Sequence, residues 1–243
     1  TDTLKASQTV TIKGHVADLD GNTMTDFNGV LYTTIFDKPA QYITLANDPQ
    51  AQSFNFELQN NVIFRGKATV TNGSFEFTFK VPLDINYLFG KGKISYYAEN
   101  GLTDAHGYYN NFMVGGSEDN CQDDGIGPEI RIFMNDTLFR DGGITHSSPV
   151  LLVHVSDSSG INTVGSGIGR DIVAYLDGNT TQEIKLNNYF EANLDDFTSG
   201  VVRYPLGNIS TGLHFIVVQV WDGCNNFTRD TLNFTVTNQQ AAL

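Results

Sequence analysis

The stretch VIFRGKATVTNGSFEFTFKVP, residues 62–82, predicts a β-hairpin and with it the fold class of the chain. Apolar and polar residues alternate along both halves, and a period of two residues is that of a half-buried strand. Between the halves stands Asn72-Gly73, a pair that tolerates positive φ and closes two-residue hairpin turns. The residues predicted to face the core are Val62, Phe64, Ala68, Val70, Phe75, Phe77, Phe79 and Val81.

The same alternation recurs along the rest of the chain. No segment carries apolar residues at the 3.6-residue spacing of an amphipathic helix over a helical length. Many short strands separated by turn residues are typical of antiparallel sandwiches. We therefore predict an all-β protein made of two consecutive immunoglobulin-like antiparallel β-sandwiches. Further strands are expected at residues 10–16, 94–98, 172–176, 216–220 and 232–236.

The segment GGSEDNCQDDGIGP, residues 115–128, divides the chain. It has no apolar periodicity, is rich in turn formers and ends in a proline, which disfavours helix. Each side of it has roughly the ~100 residues of an immunoglobulin-type sandwich. We predict β-sandwich domains at residues 1–115 and 128–243, joined by an acidic linker at 116–127.

The charge of the chain argues against nucleic acid as a partner, and its hydropathy argues against a membrane span. A formal net charge of −13 over 243 residues repels phosphate backbones, so nucleic acid is not an expected partner. No apolar stretch reaches the ~20 residues that cross a bilayer, so the chain is not expected to span a membrane. It begins TDTLKASQTV, without an initiator Met or a secretion signal, and we take it for a piece of a longer protein.

A glycine-rich segment, GSGIG at residues 165–169, imitates part of a dinucleotide-binding fingerprint. That motif binds phosphate only where a helix follows, because the helix N-terminus attracts the anion. Here Ile172, Ala174 and Leu176 alternate as in a strand. The pattern therefore favours a long loop at one end of a sandwich, and such loops often bind partners.

The sequence offers no constellation for catalysis. His214 precedes Cys224 by ten residues on one predicted strand, which places it about 33 Å away at ~3.3 Å per residue. His154 is near the end of another strand, but nothing local directs it towards Cys224. Serine-elbow, HExxH and CxxC motifs do not occur. We expect no catalytic residue in this chain.

Cys121 and Cys224 fit better as a disulfide pair. In an immunoglobulin-like sandwich, the start of the first strand lies at the same end as the loop between the last two strands. Cys121 precedes the first strand expected in the second domain, and Cys224 lies in WDGCNN before the last. Closing a loop of about 100 residues would stabilise the fold by about 4.7 kcal/mol in the chain-entropy model. We hypothesise this bond.

The same end of the second domain is rich in oxygen ligands, and two interpretations of them stay open. Ca²⁺ takes six to eight oxygen ligands, so clustered acids at the joint between two sandwiches would suit it. Aspartate and asparagine also close turns by accepting hydrogen bonds from their own backbone. The candidate calcium ligands are Asp123, Asp124, Asp157, Asp222 and Asn225.

Six phrases between Phe27 and Asn226, within a similar region that runs from about Gly14 to Val236, read FNGVLYTTIFDKP, GSFEFTFKVPLDINYLFGKGKISYYAE, GPEIRIFMND, DSSGINTVGSGIGRDIVAYLDG, NNYFEANLDDFTSGVVRYPL and GLHFIVVQVWDGCNN. In this order they resemble the region after the peptidase domain in the type IX secretion sortases of Bacteroidetes, a family of gingipain-like cysteine peptidase homologues. The two cysteines are not part of the family pattern, so the disulfide rests on the geometry of the sandwich alone.

The resemblance implies a parent protein at the cell surface, on the outer face of the outer membrane. Such a sortase removes the C-terminal sorting domain from secreted cargo and helps join the new C-terminus to anionic lipopolysaccharide, beside the partner PorV. Its catalytic Cys and His lie in an upstream caspase-like domain, which no stretch of this chain matches, so no catalytic residue carries over.

For this chain the resemblance implies non-catalytic modules that require no cofactor. They would position the upstream peptidase domain of the same chain and contact PorV or the sorting domains of cargo. The expected contact surfaces are sheet edges, which add partner strands readily, and the loop at residues 160–170.

A second interpretation comes from another functional class: an adhesion or carbohydrate-binding module of a Bacteroidetes surface protein. Tyr108, Tyr109 and Trp221 lie near predicted loops, where aromatic rings are able to stack on sugars. Trp221 also ends an apolar run, which is typical of a core residue. A glycan array separates this interpretation from the sortase module.

Overall fold

The computed structural model describes residues 2–118, 121, 124–164 and 169–237. Strands account for nearly all of the regular structure, with a single short 3₁₀ helix, η1, in the described part of the chain. In chain order the elements are β1 (Asp2–Ala6), β2 (Thr9–His15), β3 (Gly29–Phe36), β4 (Ala40–Ile43), β5 (Asn55–Leu58), β6 (Val62–Thr71), β7 (Ser74–Lys80), β8 (Gly90–Lys91), β9 (Lys93–Glu99), β10 (Asp104–Tyr109), β11 (Phe112–Ser117), β12 (Glu129–Met134), β13 (Gly143–Thr145), β14 (Val150–Ser156), β15 (Val173–Leu176), β16 (Ile184–Lys185), η1 (Asn187–Tyr189), β17 (Phe190–Asn193), β18 (Asp196–Pro205), β19 (Gly212–Trp221) and β20 (Phe227–Val236).

The first sandwich packs a six-stranded sheet, in the order β10-β9-β3-β6-β7-β2, against a three-stranded sheet, β1-β11-β8. β4 and β5 form a separate two-stranded hairpin. All pairs are antiparallel except β1 with β11, which run parallel from Asp2 beside Phe112. The parallel pair arises because the chain begins in one sheet and passes into the other through a turn at Ser7 and Gln8.

The predicted hairpin joins β6 to β7, with Asn72 and Gly73 both at positive φ as a two-residue turn requires. One residue of it, Ile63, departs from the alternation. The β3–β6 ladder shifts by one residue between Phe64 and Val62, and this bulge turns Ile63 into the core, where it is 1% exposed. Strict alternation predicts Ile63 on the outer face.

The second sandwich has the strand order of an immunoglobulin domain. One sheet runs β12-β14-β18-β17 and the other β13-β20-β19-β15-β16, which correspond to strands A-B-E-D and A′-G-F-C-C′. β13 pairs in parallel with the last strand, β20. In this arrangement the loop between β14 and β15 and the turn between β19 and β20 lie at the same end.

Each pair of sheets encloses an apolar core, and the two cores meet. Ile132, Val153 and Ile216 are among the buried residues of the second core. Val164, which follows β14, is fully buried but belongs to the core of the first sandwich. Phe64 of β6 packs against both cores. The connection between the sandwiches is therefore apolar as well as acidic.

These observations confirm the predicted all-β class and the two consecutive sandwiches. β11 continues to Ser117 and β12 begins at Glu129, so the segment between the last strand of one sandwich and the first strand of the next is short. The exact domain bounds at 1–115 and 128–243 stay a prediction.

Candidate functional site at the joint between the sandwiches

One end of the second sandwich contacts the first sandwich, and we call this contact the joint. It comprises residues 80–84 of the first sandwich and residues 157–164, 170 and 221–226 of the second. Gly223 donates its N–H to the carbonyl of Gly160 at 2.9 Å, and its own carbonyl accepts the N–H of Leu83 at 3.3 Å. The β14–β15 loop and the β19–β20 turn of the second sandwich are thus hydrogen-bonded to each other. The β19–β20 turn is also hydrogen-bonded to the first sandwich.

A disulfide between Cys121 and Cys224 lies in the joint, with the two Cα atoms 5.8 Å apart. It links the segment between the sandwiches to the turn after β19. Lys80, at the end of β7, donates from Nζ to Cys224 Sγ at 3.3 Å. The bond is the one hypothesised from the sequence, and it ties together three parts of the chain that are distant in sequence.

Asp222 builds the turn that carries Cys224. Its side chain is fully buried. Oδ1 accepts the N–H of Cys224 at 2.9 Å and that of Asn226 at 2.7 Å, while Oδ2 accepts Asn226 Nδ2 at 3.0 Å. The carboxylate therefore satisfies three donors of its own turn, which is what an aspartate at the start of such a turn does.

The same turn occurs once more in the described part of the chain, at residues 18–22. Asp18 accepts the N–H groups of Asp20 and Asn22 and the side-chain amide of Asn22. In both turns the fourth residue has positive φ, 86° at Gly21 and 73° at Asn225. Asn225 is thus the left-handed residue of a turn, a position that asparagine and glycine favour. The shared D-x-x-x-N spacing of residues 18–22 and 222–226 is visible in the sequence, but it was not used to predict the turns.

Three of the candidate calcium ligands do share one neighbourhood. Burial raises the pKa of Asp157 to about 6, and the charges of Asp222 and Asp124 raise it too, whereas the Ser159 N–H and Lys80 act in the opposite direction. Asp124 accepts the Ser158 hydroxyl at 3.2 Å. Because the charges of Asp124 and Asp222 both act on Asp157, the three carboxylates lie in one neighbourhood.

The described residues hold no group of three His, Cys, Asp or Glu side chains arranged to bind a metal. Asp123, another candidate ligand, lies outside the described residues. Asp157 Oδ1 accepts the Ser159 N–H at 2.6 Å, so it too closes a turn, as Asp222 does. Asn225 Oδ1 is buried without a hydrogen-bond partner. The calcium site stays a prediction.

Asp157→Asn is expected to stabilise the protein above pH 6. Because the folded-state pKa of Asp157 is raised from 3.8 to about 6, the folded protein binds the proton more tightly, and stability falls as pH rises through that interval. We expect the variant to gain about 1 kcal/mol at pH 7, since solvent screens this partly exposed group. Below pH 4 it should match the wild type. Urea unfolding at several pH values measures the difference.

Asp136→Asn is the matched control, because Asp136 accepts the N–H of Leu138 in the same local way but is exposed. Equal pH profiles for wild type and Asp157→Asn would contradict the expectation. The same unfolding series in Ca²⁺ and in EDTA tests the calcium prediction. A calcium-dependent increase that Asp157→Asn removes supports it, and an unchanged midpoint removes it.

An ion pair with a buried carboxylate and a partly exposed guanidinium adds a polar contact to the joint. Asp84, in the loop after β7, has only 5% of its side chain exposed and pairs with Arg170 Nη1. Its other oxygen accepts Asn162 Nδ2 at 2.8 Å. The Arg170 guanidinium also lies 5.7 Å from the centre of the Trp221 ring. Asp84 of the first sandwich is thereby bonded to two segments of the second.

A second contact between the sandwiches involves β6 and the β17–β18 turn. Asp195 Oδ1 accepts the N–H of Thr69 at 2.7 Å, and its Oδ2 accepts the Thr69 hydroxyl at 2.5 Å. The Asp195 N–H donates to the carbonyl of Lys67 at 3.0 Å, and Lys67 Nζ lies 3.1 Å from Glu191 Oε2. Two separate contacts oppose rotation of one sandwich against the other.

The glycine-rich segment lies in the loop between β14 and β15. A strand follows it, as the sequence analysis expected of residues 172–176, and so the loop lacks the helix that a phosphate site requires. Residues 165–168 lie outside the described residues. Gly160 and Arg170, at the two ends of the loop, bind within the joint.

A second cluster imitates a catalytic triad at the far end of β19. Ser210 Oγ lies 3.5 Å from His214 Nε2, and His214 Nδ1 lies 2.8 Å from Asp177 Oδ2. Nε2 is also 2.8 Å from the carbonyl oxygen of Ser210, which only accepts, so Nε2 carries a proton.

The pKa of His214 is raised accordingly. Burial lowers it, but the hydrogen bonds to Asp177 and to the Ser210 carbonyl outweigh burial. Because Nε2 donates to the Ser210 carbonyl, it has no free lone pair to accept the proton of the Ser210 hydroxyl. The cluster therefore anchors the turn at Asp177 to β19. It is distant from Cys224, since β19 pairs His214 with Phe234 and Trp221 with Phe227.

The aromatic residues considered for sugar binding have different surroundings. The Trp221 ring packs against Phe227 in a tilted arrangement, 4.8 Å between ring centres, and lies near Arg170, so it is half-buried in the joint. Tyr109 stacks on Phe112 at 6.0 Å. Tyr108 is 73% exposed. Of these three, Tyr108 is the most accessible to a ligand.

Comparisons with known proteins give one informative match. Neither a protein-family model nor a curated protein sequence matches the chain. The solved structure of dimeric latent PorU from Porphyromonas gingivalis matches 100% of the chain at 31% identity, with a TM-score of 0.54. The chain spans only 23% of that protein. It is therefore similar in sequence and in fold to a region of PorU.

Two further solved structures that match the chain are much less similar to it. A chimeric titin Z1Z2 matches 98% of the chain and 92% of its own at 13% identity, with a TM-score of 0.28. Fibronectin(III)-like modules of Clostridium thermocellum CbhA match 97% of the chain and 88% of their own at 11% identity, with a TM-score of 0.27.

Proposed function

We propose that this chain is a non-catalytic pair of β-sandwich modules from a cell-surface type IX secretion sortase of the gingipain-like cysteine peptidase family. The modules hold the peptidase domain of the parent protein at a fixed distance and orientation, and they present a surface to PorV or to cargo sorting domains. The observation that carries the proposal is the 31% identity to PorU along the whole chain.

The joint supports the positioning role. A module that fixes a distance must resist bending, and a joint with few bonds would bend. Here a disulfide ties the segment between the sandwiches to the second sandwich, and the Asp84–Arg170 ion pair and the hydrogen bonds of Asp195 connect the two sandwiches directly. The buried Val164 adds apolar contact. These interactions act at two places, which favours one fixed orientation.

The side-chain chemistry supports a non-catalytic role. In the triad-like cluster, both ring nitrogens of His214 are hydrogen-bonded. Cys224 is engaged in a disulfide. A thiol in a disulfide is not available as a nucleophile. Neither cluster supplies an activated nucleophile.

Two features support an exported location. Disulfides persist mainly in oxidising compartments such as the periplasm and the cell surface, and the joint contains one. Lys and Arg total 14 against 27 Asp and Glu, a surplus of negative charge that keeps a surface protein soluble. Within the described ranges, no helix is long and apolar enough to cross a membrane.

The proposal is tested with the purified chain, PorV and a cargo protein that retains its sorting domain. We expect the immobilised chain to capture PorV or the cargo, and to leave cargo peptides uncleaved during prolonged incubation. Cleavage by the chain alone would contradict the non-catalytic role. Failure to capture either protein would contradict the contact role.

An adhesion or carbohydrate-binding module is the second candidate, favoured by the exposure of Tyr108. A glycan array distinguishes the two. Strong binding to a sugar that Tyr108→Ala abolishes would favour the adhesin, whereas no binding to any glycan together with capture of PorV or cargo would favour the sortase module.

A further inference from the structure

Both free edges of the six-stranded sheet border one groove in the first sandwich. β2 and β10 are the terminal strands of that sheet, and neither pairs with a further strand among the residues that the structure describes. A groove of about 1030 Å³ is lined by residues 10–17 from β2 and the turn after it and by residues 105–109 from β10. Consecutive residues line it, so the main-chain edges of both strands face the groove.

The groove is in line with β1. β10 continues into β11, because Tyr109 pairs with Ile94 and Met113 pairs with Lys91 on one long neighbouring segment. β1 lies parallel against β11, and Asp2 lines the end of the groove. An extended segment placed along β10 would therefore continue the parallel ladder that β1 already forms with β11.

The inner side of the groove is apolar and has unfilled space. Val10 and Ile12 are half-buried on the inner face of β2, and the floor includes the buried Ile94. Gly107 pairs with Tyr96, which lies on this inner side. A Cβ atom at Gly107 would meet nothing within 4 Å, so an apolar side chain has room there.

The outer rim of the groove carries little net charge, in contrast to the chain. Lys13, His15 and His106 are exposed on the two edge strands, and Asp2 is the one carboxylate among the described residues that line the groove. Lys13 is partly neutralised by Glu76 at 2.8 Å, and both of these groups are exposed. In a chain with a net charge of −13, this rim repels acidic side chains of a ligand less than a uniformly acidic surface would.

We propose that the groove binds an extended strand of a partner protein, about six residues long, parallel to β10 and between β10 and β2. Its main chain bonds the free edges, its apolar side chains point inward at alternate positions, and its polar side chains, acidic ones included, point outward to the rim. Strand addition of this kind takes affinity from main-chain hydrogen bonds and specificity from alternate side chains. The inference goes beyond the proposed function and does not rest on it.

The probe is a fluorescein-labelled synthetic peptide of seven residues in which valine and glutamate alternate. Titration of the full 243-residue chain, followed by fluorescence anisotropy, should show saturable binding. A peptide of identical sequence with every second amide N-methylated lacks the donors of one edge and cannot bond β10 and β2 at the same time, and we expect its affinity to be at least about tenfold weaker. This comparison needs no protein variant.

Gly107→Phe fills the space that the inner side chains of the ligand require, and we expect at least about tenfold weaker binding of the unmethylated peptide. Gly207→Phe is the matched control, because Gly207 also lacks positive φ and its Cβ would meet nothing within 4 Å. It should bind as the wild type does. Circular dichroism of both variants shows whether the fold is retained.

Three results would overturn the inference: no saturable binding, equal binding of the methylated and unmethylated peptides, or unchanged binding by folded Gly107→Phe. Concentration-dependent dimerisation of the chain that Gly107→Phe abolishes would instead assign the groove to a second copy. Loss of peptide binding does not affect the capture experiment with PorV, unless PorV or cargo occupies this groove.

Discussion

Replacing Cys121 and Cys224 by serine is expected to lower the free energy of unfolding by about 4–5 kcal/mol, which for a chain of this size is about 10–20 °C in melting temperature. The disulfide closes a loop with a sequence separation of 103, and a long loop loses much chain entropy when it is cross-linked in the unfolded state. It also holds the joint together. Thermal and urea unfolding without reductant measure the loss.

The wild-type protein in a reducing agent is the matched comparison for this variant. Its midpoint should fall to that of the double serine variant, and the agent should leave the variant itself unchanged. Intact mass under non-reducing conditions should show the wild type lighter by two hydrogen atoms. Two alkylatable thiols in the native protein, or identical oxidised and reduced midpoints, would contradict the account.

Asp222→Ala is expected to destabilise the protein by about 3–5 kcal/mol, because each lost hydrogen bond to a charged group is worth about 1.5–3 kcal/mol and the effects are not fully additive. The variant leaves the N–H groups of Cys224 and Asn226, and the Asn226 amide, without their acceptor in a buried turn. Urea unfolding measures the change.

Asp18→Ala is the matched control, since Asp18 makes the same set of hydrogen bonds in an exposed turn. Water replaces its acceptor oxygens there, so we expect a much smaller loss of stability. Equal losses of unfolding free energy in the two variants would show that the burial of Asp222 in the joint contributes nothing to stability.

Local patterns of the sequence were sufficient to predict the fold class. Alternation marks the strands because each strand has one face on a core, and Asn72-Gly73 marks a turn that needs two residues at positive φ. The departure of Ile63 from the alternation has a clear cause, since a bulge inserts one residue and reverses the alternation. No residue type specifies such a bulge.

The pairing of Cys121 with Cys224 was also accessible, because the order of strands in an immunoglobulin-like sandwich fixes which loops share an end. The partners across the joint were not. Asp84 and Arg170 are 86 residues apart, and Val164 is buried in the core of the other sandwich. Such contacts depend on how two folded units pack, and no local pattern records that packing.

Only part of the groove could be predicted from the sequence. Sequence analysis expected sheet edges to be contact surfaces, but it assigned no strand to an edge. That assignment requires the order of strands in the sheet, which places β2 and β10 at the two ends. The empty position at Gly107 likewise becomes visible only beside Tyr96.

The central claim is that the joint fixes the two sandwiches in one relative orientation. Amide residual dipolar couplings of the oxidised chain in a single alignment medium test it most directly. We predict that one alignment tensor fits the couplings of β2, β6 and β7 in the first sandwich together with those of β14, β18 and β19 in the second. Two tensors of different magnitude would show independent motion and contradict the claim.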